Sequence, residues 1–315
     1  MEREVGCVSV SRTTNESGDA SRPRKRIRTR AFRFQFALVA PATFILLLMG
    51  LFPLVYLVVV SLQNITMTEV DTTFHGLSNY RLLIADGRLA QALVHTALLA
   101  AIALPVELVL GLAMAELFIR YLPGRALFIA LLTLPVMVSP IVAGATWALL
   151  LDNRFGPVNQ IIGWVAGGPR TLLWTINPDL VYPAILMAEV WQWTPFMFLL
   201  MLAAISGVDR SQLEAAAVDG AGYWRTFRRI VLPAIWPVMM VAILVRAIDL
   251  VQLFDTVWVL TKGGPGTFTE TLSLFTYIKG FQQFETSYTA AVALVVMLLL
   301  SVLVSWCLKR VRLAR

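Results

Sequence analysis

Histidine and cysteine are scarce in this 315-residue sequence, which contains two of each. The two histidines, His75 and His95, are too few for a histidine-based metal site or catalytic triad, so no metal ligand is assigned. Cys7 and Cys307 lie near opposite ends of the chain and suggest neither a disulfide framework nor a zinc site. The sequence also lacks a Gly-Lys dipeptide, which excludes a P-loop for nucleotide phosphates.

Charge is scarce as well, at 14% of residues, whereas soluble proteins average about 25%. Hydrophobic residues make up 58% of the chain, and the mean hydropathy is +0.75. A soluble fold could not bury so much apolar surface, so the sequence predicts an all-α membrane protein whose helices each need about 20 apolar residues. Six stretches qualify: 34–62, 93–118, 126–151, 181–205, 235–260 and 288–308.

Prolines lie inside several of these predicted membrane helices. Such prolines are tolerated where neighbouring helices, side chains or water satisfy the freed carbonyls. They are compatible either with packing kinks or with a hinge beside a path through the membrane. The prolines concerned are Pro41, Pro53, Pro105, Pro135, Pro140, Pro183 and Pro195.

The chain begins with a polar, basic segment, 1–33, that is predicted to be a disordered cytoplasmic tail. A cleavable signal peptide is the alternative, but the apolar stretch that follows is too long and lacks a convincing cleavage site. The predicted organisation is therefore this tail, a membrane domain at 34–308 that includes a cytoplasmic loop at 206–233, and a short tail at 309–315.

The distribution of Lys and Arg predicts the orientation of the chain in the membrane. If the amino terminus is inside, 19 of the 26 basic residues lie in inside segments and six lie outside, with Arg246 inside a helix. This asymmetry indicates six crossings with both termini in the cytoplasm. The net charge of +7 is then explained by the Lys and Arg residues of the cytoplasmic segments, and no nucleic-acid partner is expected.

The predicted outside loops, 64–90, 152–180 and 261–287, contain turn-forming Gly-Pro sequences and several aromatic side chains. These aromatics suit either an aromatic belt at the membrane surface or a soluble partner that docks there. They include Trp164, Trp174, Tyr277, Phe281 and Phe284.

The 206–233 loop contains the most informative pattern. Ser211 is predicted to cap a short helix with Glu214 as its capping-box partner, and Asp219-Gly220 is predicted to end that helix. A basic amphipathic segment follows, and Pro233 sets the start of the next membrane helix. The small alanine face suits insertion into a cleft on another protein, whereas the basic segment also suits a connector that lies on lipid headgroups.

This loop resembles the EAA loop of bacterial ABC importer permeases of the carbohydrate-uptake type. The residues that match are Glu214, Ala215, Ala216, Asp219, Gly220, Ala221, Ile230, Leu232 and Pro233. The resemblance extends over about 34–308 through further segments: Gly76-Leu77-Ser78-Asn79-Tyr80, Trp191 to Phe196, Phe254-Asp255, Thr261, Gly263-Gly264-Pro265 and Thr271-Leu272.

The resemblance implies a six-helix type I ABC importer permease fold in the inner membrane, with a coupling helix between helices four and five. It implies a second, different permease subunit, two ATPase subunits that bind ATP and Mg²⁺, and a periplasmic or lipid-anchored solute-binding protein. The coupling residues would be Glu214, Ala215, Ala216, Asp219, Gly220 and Ala221. This chain would itself be no enzyme and would bind no cofactor.

Inserting an ionised residue at the centre of a membrane helix costs about 2.5–3.5 kcal/mol, so each such residue is expected to have a structural or functional role. Arg246 and Asp249, spaced i and i+3, are predicted to form a structural pair. Glu107 is a further ionisable residue, in the second predicted helix, and is less favoured as a solute contact. Residues suited to contact a sugar are Glu189, Trp191, Gln192, Trp193, Asp249 and Gln252. An interhelical polar network is the alternative role for the same residues.

Two other functional classes are compatible with a polytopic membrane chain. A secondary transporter would use a membrane carboxylate such as Glu189 as its relay, and a membrane enzyme or sensor is the third class. Neither accounts for the EAA-like loop. The expected solute is a monosaccharide, disaccharide, polyol or other sugar derivative; the scarcity of intramembrane cations favours a neutral one, although Arg246 keeps an anionic sugar possible.

Overall fold

The computed structural model describes residues 24–66, 70–119, 123–168 and 171–313. Residues 1–23 of the predicted tail lie outside the described residues, and the first helix begins at Arg24, within the segment assigned to that tail. Helices are α1 Arg24–Ser61, α2 Ser78–Ala85, α3 Gly87–Ile119, α4 Arg125–Met137, α5 Pro140–Leu150, α6 Pro157–Val165, α7 Pro178–Ser206, α8 Arg210–Val218, α9 Tyr223–Thr226, α10 Leu232–Val251, α11 Asp255–Leu260, α12 Leu272–Tyr277 and α13 Thr286–Leu313.

Short elements complete these helices. Two π-helical turns, Phe227–Val231 and Ile278–Gln282, follow α9 and α12 respectively. Strands β1, Asn64–Ile65, and β2, Val70–Asp71, form a small antiparallel hairpin after α1. The all-α class is confirmed, with this hairpin as a local addition.

The chain divides into two units, one that ends at Tyr56 and one that begins at Leu57. In the first unit every residue from Val39 to Tyr56 is exposed, although nearly all of them are apolar. The second unit contains the remaining helices and the hairpin.

Five helical segments in the described ranges are long and apolar enough to cross a membrane, and the bent pair α4–α5 makes a sixth if it is counted as one span. The segments are Val39–Ser61, Gly87–Ile119, Pro178–Ser206, Tyr223–Val251 and Thr286–Lys309. These segments and the bent pair occupy the six stretches predicted from the sequence.

Two of the predicted helices are wrong in detail because each is broken. The stretch 126–151 splits into α4 and α5, which meet at an angle of 97°. Pro140 starts α5, and the residue before a proline disfavours helical backbone; Ser139 and the preceding Val138 are both extended. The stretch 235–260 ends as a membrane helix at Val251 and resumes as the separate helix α11.

Helix α3 packs against α7 through a buried stripe with a spacing of four residues. At the closest approach, a Cβ on Gly111 would lie 2.6 Å from the Met197 Cβ, so only glycine fits there. Small residues let membrane helices approach closely in this way. The stripe consists of Leu99, Ala103, Glu107, Gly111 and Ala115. A carboxyl group thus lies in the middle of the helix contact.

Candidate functional site

The 206–233 loop begins with helix α8, whose cap differs from the predicted one. Asp209 is the N-cap residue, and its Oδ1 accepts a hydrogen bond from the Ser211 backbone N–H at 2.9 Å. The predicted cap at Ser211 is therefore wrong by two residues. The Ser211 N–H, together with a further hydrogen bond from Ser211, holds the pKa of Asp209 below its ordinary value.

The end of α8 is as predicted. Gly220 has a left-handed backbone, with φ +68°, directly after the C-cap residue Asp219. The Ala221 N–H bonds to the Ala216 carbonyl at 2.9 Å, and the Gly220 N–H bonds to the Ala217 carbonyl at 3.1 Å. These two bonds form a Schellman motif, which glycine permits without a Cβ penalty.

Helix α8 divides into an inner face and an outer face. Leu213 packs on a buried apolar cluster that includes Met201 and Ile235, and Ala216 is also buried. Glu214 and Ala215 are exposed, and Val218 is 88% exposed. The face that carries most of the EAA-like residues is therefore open to another molecule.

The second half of the loop is tied to the membrane helices. Phe227 and Ile230 pack on the same apolar cluster as Leu213, which includes residues of α3, α7 and α10. The Tyr223 hydroxyl donates a hydrogen bond to Glu116 Oε2 of α3 at 2.9 Å. Trp224 is 69% exposed. The amphipathic character predicted for this segment is confirmed.

A second group of functional candidates surrounds Arg246, which is buried between three helices. Its Nε and Nη2 donate hydrogen bonds to Glu107 of α3 at 2.8 and 2.9 Å, and Nη2 also donates to Glu189 of α7 at 2.5 Å. The Trp193 ring covers the guanidinium at 4.5 Å from its centroid. We call Arg246, Glu107, Glu189, Asp249 and Trp193 the Arg246 cluster.

The predicted pairing of Arg246 with Asp249 is only a peripheral part of this cluster. Arg246 Nη1 and Asp249 Oδ2 are 3.9 Å apart, beyond hydrogen-bond distance, and the Asp249 side chain is 42% exposed. The principal partner is Glu107, which is fully buried. The sequence contains one chemical signal for this pairing. A buried cation needs a buried counter-charge, and Glu107 is an acid in another predicted membrane helix.

Side chains of α7, of α12 and of the residue that caps α12 satisfy backbone groups at the two helix breaks. Gln192 Nε2 donates to the Val138 carbonyl, between α4 and α5, at 3.0 Å. At the other break, Thr271 Oγ1 donates to the Leu253 carbonyl at 2.7 Å, and Ser273 Oγ donates to the Val251 carbonyl at 3.2 Å. Irregular backbone at membrane depth requires such partners.

Two of the predicted solute contacts lie apart from the Arg246 cluster. Trp191 is exposed and contacts the Trp147 ring edge-on at 6.0 Å. Gln252 lines a groove of about 730 Å³ between α10, α12 and α13. The structure thus brings Glu189, Trp193 and Asp249 together around Arg246, whereas Trp191 and Gln252 lie outside this cluster. In the described part of the chain no group of three His, Cys, Asp or Glu side chains could hold a metal ion.

Comparisons with known proteins identify the family and several relatives of this chain. Residues 107–312 match the family described as binding-protein-dependent transport system inner membrane component. The chain is 33% identical to the probable ABC transporter permease y4oQ of Sinorhizobium fredii, over 91% of both chains. It is 30% identical to the trehalose/maltose transport system permease MalF of Thermococcus litoralis, over 80% of this chain and 85% of that one.

A solved structure shares the fold. A chain of a bacterial ABC transporter that imports the acidic polysaccharide alginate superimposes with a TM-score of 0.77 at 22% identity. The match covers 92% of this chain and 99% of the other. The architecture is therefore that of a type I ABC importer permease.

Proposed function

Because the chain belongs to the family of binding-protein-dependent transport system inner membrane components, we propose that it is the permease subunit of an ATP-driven carbohydrate importer. The chain is a multi-pass inner-membrane protein and a transport component, not an enzyme. Relatives named for trehalose and maltose, and a fold neighbour that imports alginate, support a carbohydrate as the solute.

The proposed complex contains a second, different permease, two ATPase subunits and a periplasmic or lipid-anchored binding protein. ATP and Mg²⁺ are bound by the ATPases, in keeping with the absence of a Gly-Lys dipeptide from this chain. The excess of Lys and Arg in the tail and in the 206–233 loop supports an orientation with both termini and this loop in the cytoplasm.

The observation that carries the proposal is the two-sided packing of α8. Its outer face, with Glu214, Ala215 and Val218, is free to enter a cleft on an ATPase. Its inner face, through Leu213, packs on the apolar cluster shared by α3, α7 and α10. A displacement of α8 by ATPase closure would be transmitted to those three helices through this contact.

The proposed solute path runs beside the Arg246 cluster, where Trp193 is partly exposed and Asp249 offers an exposed acceptor. The two broken helices meet α7 in the same region, and discontinuous membrane helices commonly form such sites. The carboxylate of Glu189 is engaged by Arg246 and lies 3.4 Å from Thr256 Oγ1, which argues against its use as the proton relay of a secondary transporter.

The test compares Gly220→Asp with Gly222→Asp in the complex assembled with its co-purified subunits. A Cβ added at either glycine would have no other atom within 4 Å, so neither side chain should disturb this chain by collision. Gly220 has φ +68°, a left-handed backbone that is less favourable for aspartate than for glycine, whereas Gly222 has φ −68° and caps α9, a position that aspartate favours.

We expect Gly220→Asp to insert and assemble but to lose solute-stimulated ATP hydrolysis and uptake. Gly222→Asp, which adds the same charge two residues away, should stay within about twofold of the wild type because it leaves the α8 ending intact. Normal uptake by Gly220→Asp would refute the coupling role of α8.

A further inference from the structure

We propose that the Arg246 cluster offers the solute a negative charge and no available cation, so that the path accepts uncharged polyhydroxy solutes and rejects anionic ones. Asp249 is then the residue that determines this specificity. The inference rests on the proposed transport function and adds the charge class of the cargo.

The cation of the cluster is buried and mostly engaged, and its remaining nitrogen, Nη1, lies 3.9 Å from Asp249. Arg246 uses Nε and Nη2 for three hydrogen bonds to Glu107 and Glu189, and Trp193 covers its face. The residue is only 1% exposed. An incoming carboxylate, sulfate or phosphate would have to displace a buried carboxylate to reach the guanidinium, and the displaced group would be left without a counter-charge.

Counted as formal charges, the cluster has an excess of carboxylates. Glu107 and Glu189 are two carboxylates around one guanidinium, and Asp249 is a third. Of these charged side chains, only Asp249 is substantially exposed, at 42%. Like charges repel more strongly at low effective dielectric than in water, so an anionic solute near Asp249 is disfavoured.

A neutral sugar, in contrast, is expected to interact favourably with Asp249. Its hydroxyls can donate to the Asp249 carboxylate in charge-assisted hydrogen bonds. The accessible surface of α10 therefore suits donors from a polyhydroxy compound better than a second anion.

The test measures direct binding of radiolabelled trehalose and trehalose 6-phosphate to the purified permease pair, without the binding protein. These probes differ by one charged group. We expect the wild type to bind trehalose 6-phosphate at least ~10-fold more weakly than trehalose. Repulsion between the phosphate and the Asp249 carboxylate at low effective dielectric is large enough for this difference. Asp249→Asn should reduce that ratio to below about threefold, because an amide keeps the acceptor and removes the charge. It should also weaken trehalose binding modestly, because the hydrogen bonds from the sugar lose their charge assistance.

The control is Asp179→Asn, which removes the same charge from an exposed position in the first turn of α7, outside the cluster. It should keep the wild-type ratio. Equal binding of both probes by the wild type, or an unchanged ratio in Asp249→Asn, would overturn the inference.

Two further outcomes would also overturn it. A loss of assembled complex in Asp249→Asn would mean that Asp249 pairs with a cation of the other permease. Absence of trehalose binding to the wild-type pair would mean that the solute does not bind at this cluster. The coupling experiment at Gly220 would still test the proposed function independently.

Discussion

The 206–233 loop and the Arg246 cluster are stabilised in opposite ways. Helix α8 is capped by bonds between near neighbours, such as that from the Ser211 N–H to Asp209, two residues away. The bonds of Arg246 to Glu189 and Glu107 span 57 and 139 residues. The loop is exposed and carries its functional residues outward, whereas the cluster is buried and joins α3, α7 and α10.

This difference separates the part of the molecule that meets a partner from the part that holds the helices together. A change on the outer face of α8 alters a surface and leaves the membrane helices packed. A change at Arg246 leaves a charge unpaired in a low-dielectric interior, where breaking a buried ion pair costs about 3–5 kcal/mol.

The largest effect is therefore expected for Arg246→Leu. This substitution leaves Glu107 and Glu189 buried without a counter-charge, and we expect little or no monodisperse protein after detergent extraction. The measurement is the yield and the thermal unfolding midpoint of the purified chain.

The matched control for Arg246→Leu is the triple variant with Glu107→Gln and Glu189→Gln added. Neutralising all three groups together removes the unpaired charges, so most of the yield should return. A wild-type yield for Arg246→Leu alone would show that the cluster does not hold the helices together.

The sequence determined the loop better than the cluster, because the signals of the loop are local. Asp219-Gly220 ends α8 as predicted, and the start was missed by two residues because Asp209 and Ser211 are both good N-caps. For Arg246, the local i, i+3 rule selected Asp249. The choice of Glu107 depends on the packing register of α3 against α10, which no local pattern contains.

The helix breaks illustrate the same limit. Pro140 is a local signal for the break between α4 and α5. The prediction of a single helix over 126–151 followed instead from the length of the apolar stretch. The break after Val251 contains no proline or glycine at 252–254. It is stabilised by the hydroxyls of Thr271 and Ser273, which are 18 and 22 residues away from the carbonyls they bond.

A medium effect is expected when Glu107→Gln is compared with Asp249→Asn, since each removes one negative charge beside Arg246. Glu107 accepts two hydrogen bonds and is buried, so its substitution should cost about 1.5–3 kcal/mol of unfolding free energy. Asp249 is 3.9 Å from Arg246 and partly exposed, so its substitution should cost less than about 0.5 kcal/mol.

The measurement for this pair is equilibrium unfolding of both variants in the same detergent. Equal losses would mean that the peripheral and central carboxylates contribute alike, and the hierarchy inferred from the distances would fail.

The smallest effect is expected for the cap of α8, and it sharpens the contrast because it should stay local. Asp209 is fully exposed, and hydrogen bonds from Ser211 lower its pKa. A carboxyl group with a lowered folded-state pKa stabilises the fold above its unfolded-state pKa and loses that contribution as the pH falls through the folded-state value. Asp209→Asn keeps a capping oxygen and should make α8 insensitive to this pH change, whereas Asp209→Ala removes the cap at every pH.

Hydrogen exchange of the amides of α8 measures this effect directly. Asp209→Ala should speed exchange within α8 and leave α3, α7 and α10 at wild-type protection, because Leu213 and Ala216 pack on the bundle without joining its buried ion pairs. Faster exchange that reached α10 would mean that α8 and the Arg246 cluster unfold as one cooperative unit. The separation between an exposed contact surface and a buried structural cluster would then have to be abandoned.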